Sequence, residues 1–423
     1  MFKFILKGLL RDRNRSIFPI LVVIVGVLLT VYFVAFLNGF VESMIRQNAN
    51  MDTGHVKIVS RAYAEVISQK PFDLSLLEIS DDLENWKQNY PDLDWAPRIT
   101  FGALLDVPDS TGLTLVQGEV AGMAIDLFSN DKEIKRLRLN DALRKGNLPT
   151  EPEQILVSDD LFEKLNLTLG QRITLIGSTV FGAMSMRDFE VCGTVTFGVQ
   201  VLDRGGVIAD LTDIRRMLDM EDGASEILGF FKVQDYKDKT AKALALDFNS
   251  TYSDSTDEFS PQMLTLTQQN GLGEMLAIFG SSMSISISVF IFLMSIVLWN
   301  SGLLNGIRRY GEFGVRLAMG ERKGHLYRWL IIEAAVIGFI GTVIGTFLGL
   351  MLSWYLQTHG FDFSAYTTNS TLLYENVIYT HITPICYVIG FIPGMAAVIA
   401  GAMLAGINIY KRQTSQLFKE LET

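Results

Sequence analysis

The chain has 423 residues, of which 49% are hydrophobic and 19% charged, and a formal net charge of −10. With a mean hydropathy of +0.27 it is too polar to lie wholly in a membrane and too apolar to be wholly soluble, so apolar segments must be joined to a polar domain. Two distant cysteines, Cys192 and Cys386, argue against a disulfide framework, and four histidines without ligand spacing (His55, His325, His359, His381) argue against a metal site.

Residues 1–16 mix Phe2, Phe4, Ile5, Leu9 and Leu10 with Lys3, Lys7, Arg11 and Arg13, which suits an amphipathic helix on a membrane surface. Residues 17–44 form a first span, uncharged from Ile17 to Val41. That run exceeds the roughly 7–15 apolar residues of a signal-peptide core, and no small-residue cleavage site follows it. Residues 45–272 are polar and patterned as mixed α and β. A second span covers 273–301, a basic loop 302–328, a third span 329–356 with Glu333 near its start, a short loop 357–383, a fourth span 384–409 and a tail 410–423. Each span holds the roughly 20 apolar residues that a transmembrane helix needs, and helices satisfy their own backbone groups in lipid. The expected fold is therefore an α-helical membrane domain of four transmembrane helices, arranged one plus three, with an inserted mixed α+β domain.

Charge orients this plan. Outside Ile45–Leu272, every Lys and Arg lies before the first span, between the second and third, or after the fourth, and residues 357–383 carry none. The positive-inside rule then puts both termini and the 302–328 loop in the cytoplasm and the inserted domain outside. Within that domain Asp and Glu outnumber Lys and Arg by 36 to 22, which favours solubility.

In the inserted domain, Gly54–Val59 alternates as a strand, and Ile79, Leu83, Trp86 and Tyr90 fall at helical spacing behind Ser80 as a cap. Strands are expected at 103–107, 113–116, 154–157, 172–176, 189–196, 207–209 and 230–233, and a short helix at 213–218. Ser158 is expected to cap a helix and Gly170 to supply a turn. Neither a G-x-S-x-G elbow nor an H-E-x-x-H pair occurs, so binding or force transmission fits better than catalysis and no catalytic residue is assigned. Nor is there a G-x-x-x-x-G-K-[ST] loop; a process driven by ATP would need its ATPase on another polypeptide. Four spans are few for a pore, so a dimer is expected. Gly341, Gly345 and Gly349 mark a face of the third span where some helix packs closely, within the chain or across a dimer. Ser282, Ser284, Ser286 and Ser288 in the second span are expected to bond to their own backbone.

The segment 308–349 begins R-R-Y-G-E-F-G-V-R-L-A-M-G-E-R-K-G and continues into a glycine-punctuated span. It resembles the signature of permeases of the FtsX, macrolide-exporter and lipoprotein-releasing superfamily of ABC transporters. Arg309, Glu312, Gly314, Arg316, Gly320, Arg328 and Glu333 stand at matching places; Leu317 before Ala318 is a departure. Gln154–Ile176 and Phe189–Gly193 are similar to the family's periplasmic core domain of macrolide-exporter type. The resemblance implies that Arg309, Glu312, Gly314, Arg316, Gly320 and Glu321 form a coupling helix for a separate ATPase dimer. ATP and Mg would sit on that partner, with no cofactor on this chain. It implies a second permease copy or paralogue, a lipoprotein or other lipid-anchored substrate, a periplasmic carrier and membrane lipids as partners, and no nucleic acid. Phe36, Phe40, Met44, Met275 and Phe279, near the outer ends of the first two spans, are the expected acyl-chain contacts. The alternatives within the family are an exporter of peptides or drugs and a regulator of cell-wall hydrolases.

Overall fold

The computed structural model describes residues 13–108, 113–129, 131–232, 236–362 and 377–411; the amphipathic helix expected at the N-terminus and the C-terminal tail fall largely outside them. The chain divides into two compact units. One draws on the described parts of Met1–Ser43, Ile278–Phe361 and Ile378–Thr423, the other on Met44–Ala277 and Asp362–Val377. Among the described residues, four helical stretches are long and apolar enough to cross a membrane: Ile17–Thr53, Leu272–Ala318, Lys323–His359 and Pro384–Ile407. The first holds helix α1 (Arg13–Asn48), which ends in one π-helical turn, Ala49–Thr53.

The inserted unit is a ten-stranded sheet that closes on itself for part of its length. Its strands are β1 (Val56–Ser60), β2 (Leu93–Pro108), β3 (Thr114–Ile125), β4 (Leu143–Gly146), β5 (Gln154–Ser158), β6 (Arg172–Ser178), β7 (Met184–Val195), β8 (Gly206–Asp210), β9 (Glu226–Phe231) and β10 (Pro261–Thr265). The path runs β10-β1-β9-β2-β3-β8-β5-β7-β4, with β6 joining β2 to β7. Because β2 pairs with β3 on one edge and β6 on the other, β2-β3-β8-β5-β7-β6 forms a closed ring. Closure removes the open edges that would otherwise invite pairing with another chain. Strand β2 reaches this arrangement by its length. Its first half, Leu93–Arg98, pairs with β9 and its second half with β3 and β6. Ile99, Leu105, Ile155, Ile173, Phe189 and Val207 fill the ring. A second core joins Val56, Ile58, Trp86, Phe248 and Met263 between the four-stranded end of the sheet and helices α2 (Ser80–Asn89) and α5 (Asp238–Tyr252).

Local signals explain most of these boundaries. Ser158 Oγ accepts from Leu161 N–H and starts α3 (Asp159–Lys164), with Asp159 and Asp160 in the first turn. Asp210 caps α4 (Leu211–Met217) in the same way. Gly170 turns the chain at φ 79°. Ser80 departs from expectation: the N-cap position of α2 belongs to Ile79, and Ser80 instead bonds through both N–H and Oγ to Asp222. Strand β1 also departs from simple alternation. All five of its residues are buried, Lys57 included: Val56 and Ile58 lie in the apolar core against the helices, and Lys57 meets Asp52 and Glu226.

The chain then returns through α6 (Leu272–Ile307), α7 (Tyr310–Ala318), α8 (Lys323–His359) and α9 (Val398–Lys411), with a two-stranded ladder, Phe361–Asp362 with Val377–Ile378, after α8. The fourth span is not one regular helix. It opens as a 3₁₀ turn at Pro384–Tyr387, passes through a π-helical turn at Ile392–Ala397 that contains Pro393, and becomes α only at Val398. Proline removes a ladder donor and favours such a break. Val23, Val27 and Val31 of α1 pack with Leu298, Cys386, Val398 and Ala402 as the core of this unit.

Candidate functional site

The loop between the second and third spans is built around α7. Tyr310, Phe313, Gly314 and Leu317 recur at three- and four-residue spacing, so one face of this nine-residue helix is apolar. Tyr310 and Phe313 are buried beside Leu326, Leu330, Ala334 and Ala405, with Leu317 packed against them. Tyr310 Oη donates to the Ala405 carbonyl at 2.8 Å. Arg309, just before the helix, donates from Nη1 to Glu333 Oε2 at 2.5 Å. Glu333 lies at 2% exposure. An ionised group in that position survives only with a partner, so the pair ties α7 to α8.

The other end of α7 is closed by backbone. Gly320 takes φ 91°, its N–H donates to Leu317 C=O, and Glu321 N–H donates to Arg316 C=O. These are the two bonds of a Schellman motif, and they explain why glycine stands at this point of the signature. The Arg316 guanidinium lies 4.9 Å from the Trp329 ring centre. Glu321 Oε1 pairs with His325 Nδ1 at 2.7 Å. Of the residues singled out from the sequence, Arg309, Gly314, Arg316, Gly320 and Glu321 thus hold or shape the helix. Glu312 is exposed on the opposite face. Sequence reasoning passed over Val315 and Met319, which share that face at spacings of three and seven from Glu312 and are 41% and 75% exposed. The signal for them was present: apolar residues on the polar side of a short amphipathic helix mark a contact surface.

The glycine face of the third span meets a helix of the same chain. A Cβ on Gly341 would stand 2.7 Å from Val23 Cβ, one on Gly345 2.7 Å from Ile24 O, and one on Gly349 2.9 Å from Val31 Cβ. Four-residue spacing on α8 therefore interlocks with the four-residue spacing of Val23, Val27 and Val31 on α1. The serines of the second span bond to their own helix, from Ser284, Ser286 and Ser288 Oγ to the carbonyls of Gly280, Ser282 and Ser284.

The expected acyl-chain contacts divide between the two units. Phe36 is half-buried and 6.1 Å from the Tyr32 ring, while Phe40 and Phe279 are exposed. These three belong to the membrane unit, whereas Met44 and Met275 belong to the inserted one.

Within the inserted unit, charge is buried in a compact network. Lys57 Nζ, fully buried, lies 3.0 Å from Glu226 Oε2 and 3.5 Å from Asp52 Oδ1. Lys70 Nζ lies 2.6 Å from Asp52 Oδ1, and Tyr63 Oη donates to Glu226 Oε1 at 2.7 Å. Burial alone would raise the Asp52 pKa, but the Lys57 and Lys70 ammoniums overcome it and hold the carboxyl well below its usual range. Burial and the Glu226 charge push the Tyr63 phenol far up.

The comparisons with known proteins agree with this architecture. Residues 16–245 match the model of the MacB-like periplasmic core domain, and residues 284–414 match that of the FtsX-like permease C-terminal region. The chain belongs to the FtsX/MacB/LolC superfamily of ABC-transporter permeases. It is a multi-pass inner-membrane protein whose inserted unit is a MacB-type periplasmic domain. Similar curated proteins include two lipoprotein-releasing system transmembrane proteins LolC from Xylella fastidiosa. One, from strain 9a5c, is 23% identical and aligns over 65% of this chain and 70% of its own length. The other, from strain Temecula1, is 25% identical over 74% and 76%. LolC of Haemophilus influenzae is 21% identical over 55% of this chain and 57% of its own. Among solved structures, the periplasmic region of MacB from Actinobacillus actinomycetemcomitans matches 52% of this chain and 91% of its own length, with a TM-score of 0.34 and 15% identity. The extracellular domain of the noncanonic ABC-type transporter YknZ from Gram-positive bacteria matches 50% and 99%, with a TM-score of 0.33 and 13% identity.

Proposed function

We propose that this chain is the permease subunit of a lipoprotein-releasing transporter, driven by ATP hydrolysis on a separate ATPase dimer that carries ATP and Mg. In this reading the basic loop and both termini are cytoplasmic, in accord with the positive-inside rule. The observation that carries the coupling part is α7: a helix anchored through Arg309–Glu333 and Tyr310–Ala405 that presents Glu312, Val315 and Met319 outward. Rigid attachment on one face and an apolar-acidic surface on the other is what a docked ATPase needs to push against. Alignment with LolC proteins supports the lipoprotein cargo. A second permease copy or paralogue completes the path, and the exposed apolar flank of α6, including Ile278, Ile285 and Phe292, offers it a surface.

A periplasmic carrier for the released lipoprotein has a candidate dock on the β6–β7 hairpin. Its tip is fixed by Thr179 N–H to Ala183 C=O and Val180 N–H to Leu218 C=O, yet Phe181, Met184 and Met186 stand out at 72%, 71% and 57% exposure. Pre-ordered apolar residues bind with little ordering cost. The test is co-purification of the ATPase, and ATP-dependent transfer of a lipid-anchored protein from membrane to soluble fraction, with Val315→Glu/Met319→Glu. Loss of both is expected. Retention of both would refute the coupling surface, whereas ATPase binding with export of a soluble peptide or drug instead of lipoprotein release would point to the macrolide-exporter type.

A further inference from the structure

Helix α1 runs from the membrane unit into the inserted one, and α6 runs back. Their ends inside the inserted unit, a first stem before β1 and a second after β10, are fastened by side chains remote in sequence. A helix leaves its last carbonyls without partners and carries negative partial charge there. In the π-helical turn Ala49–Thr53, Gly54 N–H takes the Ala49 carbonyl. Arg98 of β2 takes the next two, donating from Nη2 to Asn50 O and from Nη1 to Met51 O, each at 2.9 Å. Gln269 Nε2 donates to Thr53 O at 3.1 Å, while the Gln269 carbonyl accepts from Leu272 N–H at the start of α6. The end of the first span is thus capped by the inserted sheet and by the residue that leads into the second span. We propose that Arg98 and Gln269 are positioning residues that join both stems and the inserted sheet into one rigid piece, so that a displacement of either span reaches the sheet.

Packing and charge point the same way. Ile45 and Ala49 of the first stem, one turn apart, share an apolar cluster with Leu272 and Leu276 of the second, also one turn apart. Ala96 of β2 and Leu228 and Phe230 of β9 complete it. Asn270 Nδ2 adds a second polar tie between the stems, to Asp52 Oδ2 at 3.1 Å. Arg98 is buried, and Glu133, buried as well, balances its charge at 2.7 Å from Nε. A buried ion pair gains little over apolar residues of the same volume, so stability alone is a poor reason for this one. What arginine supplies is a planar fork that serves three acceptors at fixed angles. Here those acceptors are one carboxylate of the inserted unit and two carbonyls of the span that enters it. The assignment adds a joint to the coupling surface on α7, and its consequence for transport rests on the reading of the chain as an ATP-driven permease.

The first test needs neither cargo nor ATPase: amide hydrogen exchange of the full chain in phosphatidylcholine nanodiscs, read by peptide mass spectrometry. Arg98→Met/Glu133→Gln removes the fork without stranding a charge, and glutamine at 133 still accepts from Arg136. Tryptophan-fluorescence melting should therefore stay within a few degrees of wild type. Exchange should rise about tenfold or more in peptides 48–55 and 269–276 alike, although the Arg98 fork donates to the first stem only. Gln269→Leu, which removes one neutral amide, should raise the same two peptides and carries the test if the double variant fails to fold. An increase confined to one stem, or none, would overturn the joint. The second test adds the co-purified ATPase: the double variant should lose ATP-dependent transfer of a lipid-anchored protein while ATP hydrolysis continues. Unimpaired transfer with both stems loosened would overturn the positioning role. Absence of transfer in the unmutated chain would instead count against the permease reading and leave the exchange result to decide the joint.

Discussion

The packing of α8 on α1 yields a quantitative prediction for Gly345→Ala. The new Cβ would sit 2.7 Å from Ile24 O and 2.9 Å from Val27 Cβ, where ordinary contact needs roughly 3.5–4.0 Å. The first clash is with backbone, so no rotamer change relieves it. The two helices must separate by up to about 1 Å along the seam, which loosens Val23 and Val31 as well; overpacking of this kind costs ~1–3 kcal/mol. Cys386 reports the event, because it is fully buried in the same unit and its thiol is unbridged. In a Cys192→Ser background, thermal unfolding in detergent followed by a thiol-reactive maleimide dye should show Gly345→Ala melting several degrees below its parent. Gly280→Ala, where a Cβ meets nothing within 4 Å, should match the parent or exceed it slightly, since alanine is the better helix former. Identical melting of Gly345→Ala and Gly280→Ala would refute the interlocked seam.

Arg309→Ala leaves Glu333 buried without its partner and should destabilise the membrane unit by about 3–5 kcal/mol in the same assay, with most of the loss recovered in Arg309→Ala/Glu333→Gln. Gly320→Ala forces a side chain into φ 91°; limited proteolysis should show faster cutting after α7, for a cost of about 1 kcal/mol. In the inserted unit, the Asp52 carboxyl is held below its ordinary value of 3.8. Its stabilising contribution is therefore complete above that value and is lost as the pH falls toward the depressed folded-state pKa. Acid titrations followed by tryptophan fluorescence should show a shallower acid limb in Asp52→Asn, together with lower stability at neutral pH; an unchanged acid limb would contradict the network. Burial, with a contribution from the Glu190 charge, pushes the Cys192 thiol up to about 12, so at pH 7.5 a maleimide-polyethylene glycol should leave Cys192 unmodified in the native protein and label it after denaturation.

Hydropathy and charge determined a great deal here, because crossing a membrane is a local demand: a run of apolar residues either is long enough or is not. The same holds for short-range devices. Gly320 ends α7, Ser158 starts α3, and the Ser284–Ser288 hydroxyls bond within their own helix, all through contacts no more than five residues apart. Helix α5 went unread because its Lys, Asp and Ala residues give little contrast between faces, although Ala241, Ala245 and Phe248 prove to be buried. Strand β10 escaped for want of a comparable pattern over five residues. Non-local pairing was decided only in three dimensions. Lys57 sits at an outward position of an alternating strand, yet it is buried, with Asp52 and, from more than one hundred and fifty residues away, Glu226 brought against its ammonium. The glycines of α8 announced a close helix contact from the sequence; that the contact is α1, and that Arg309 pairs with Glu333, followed only from which apolar faces found each other when the chain folded.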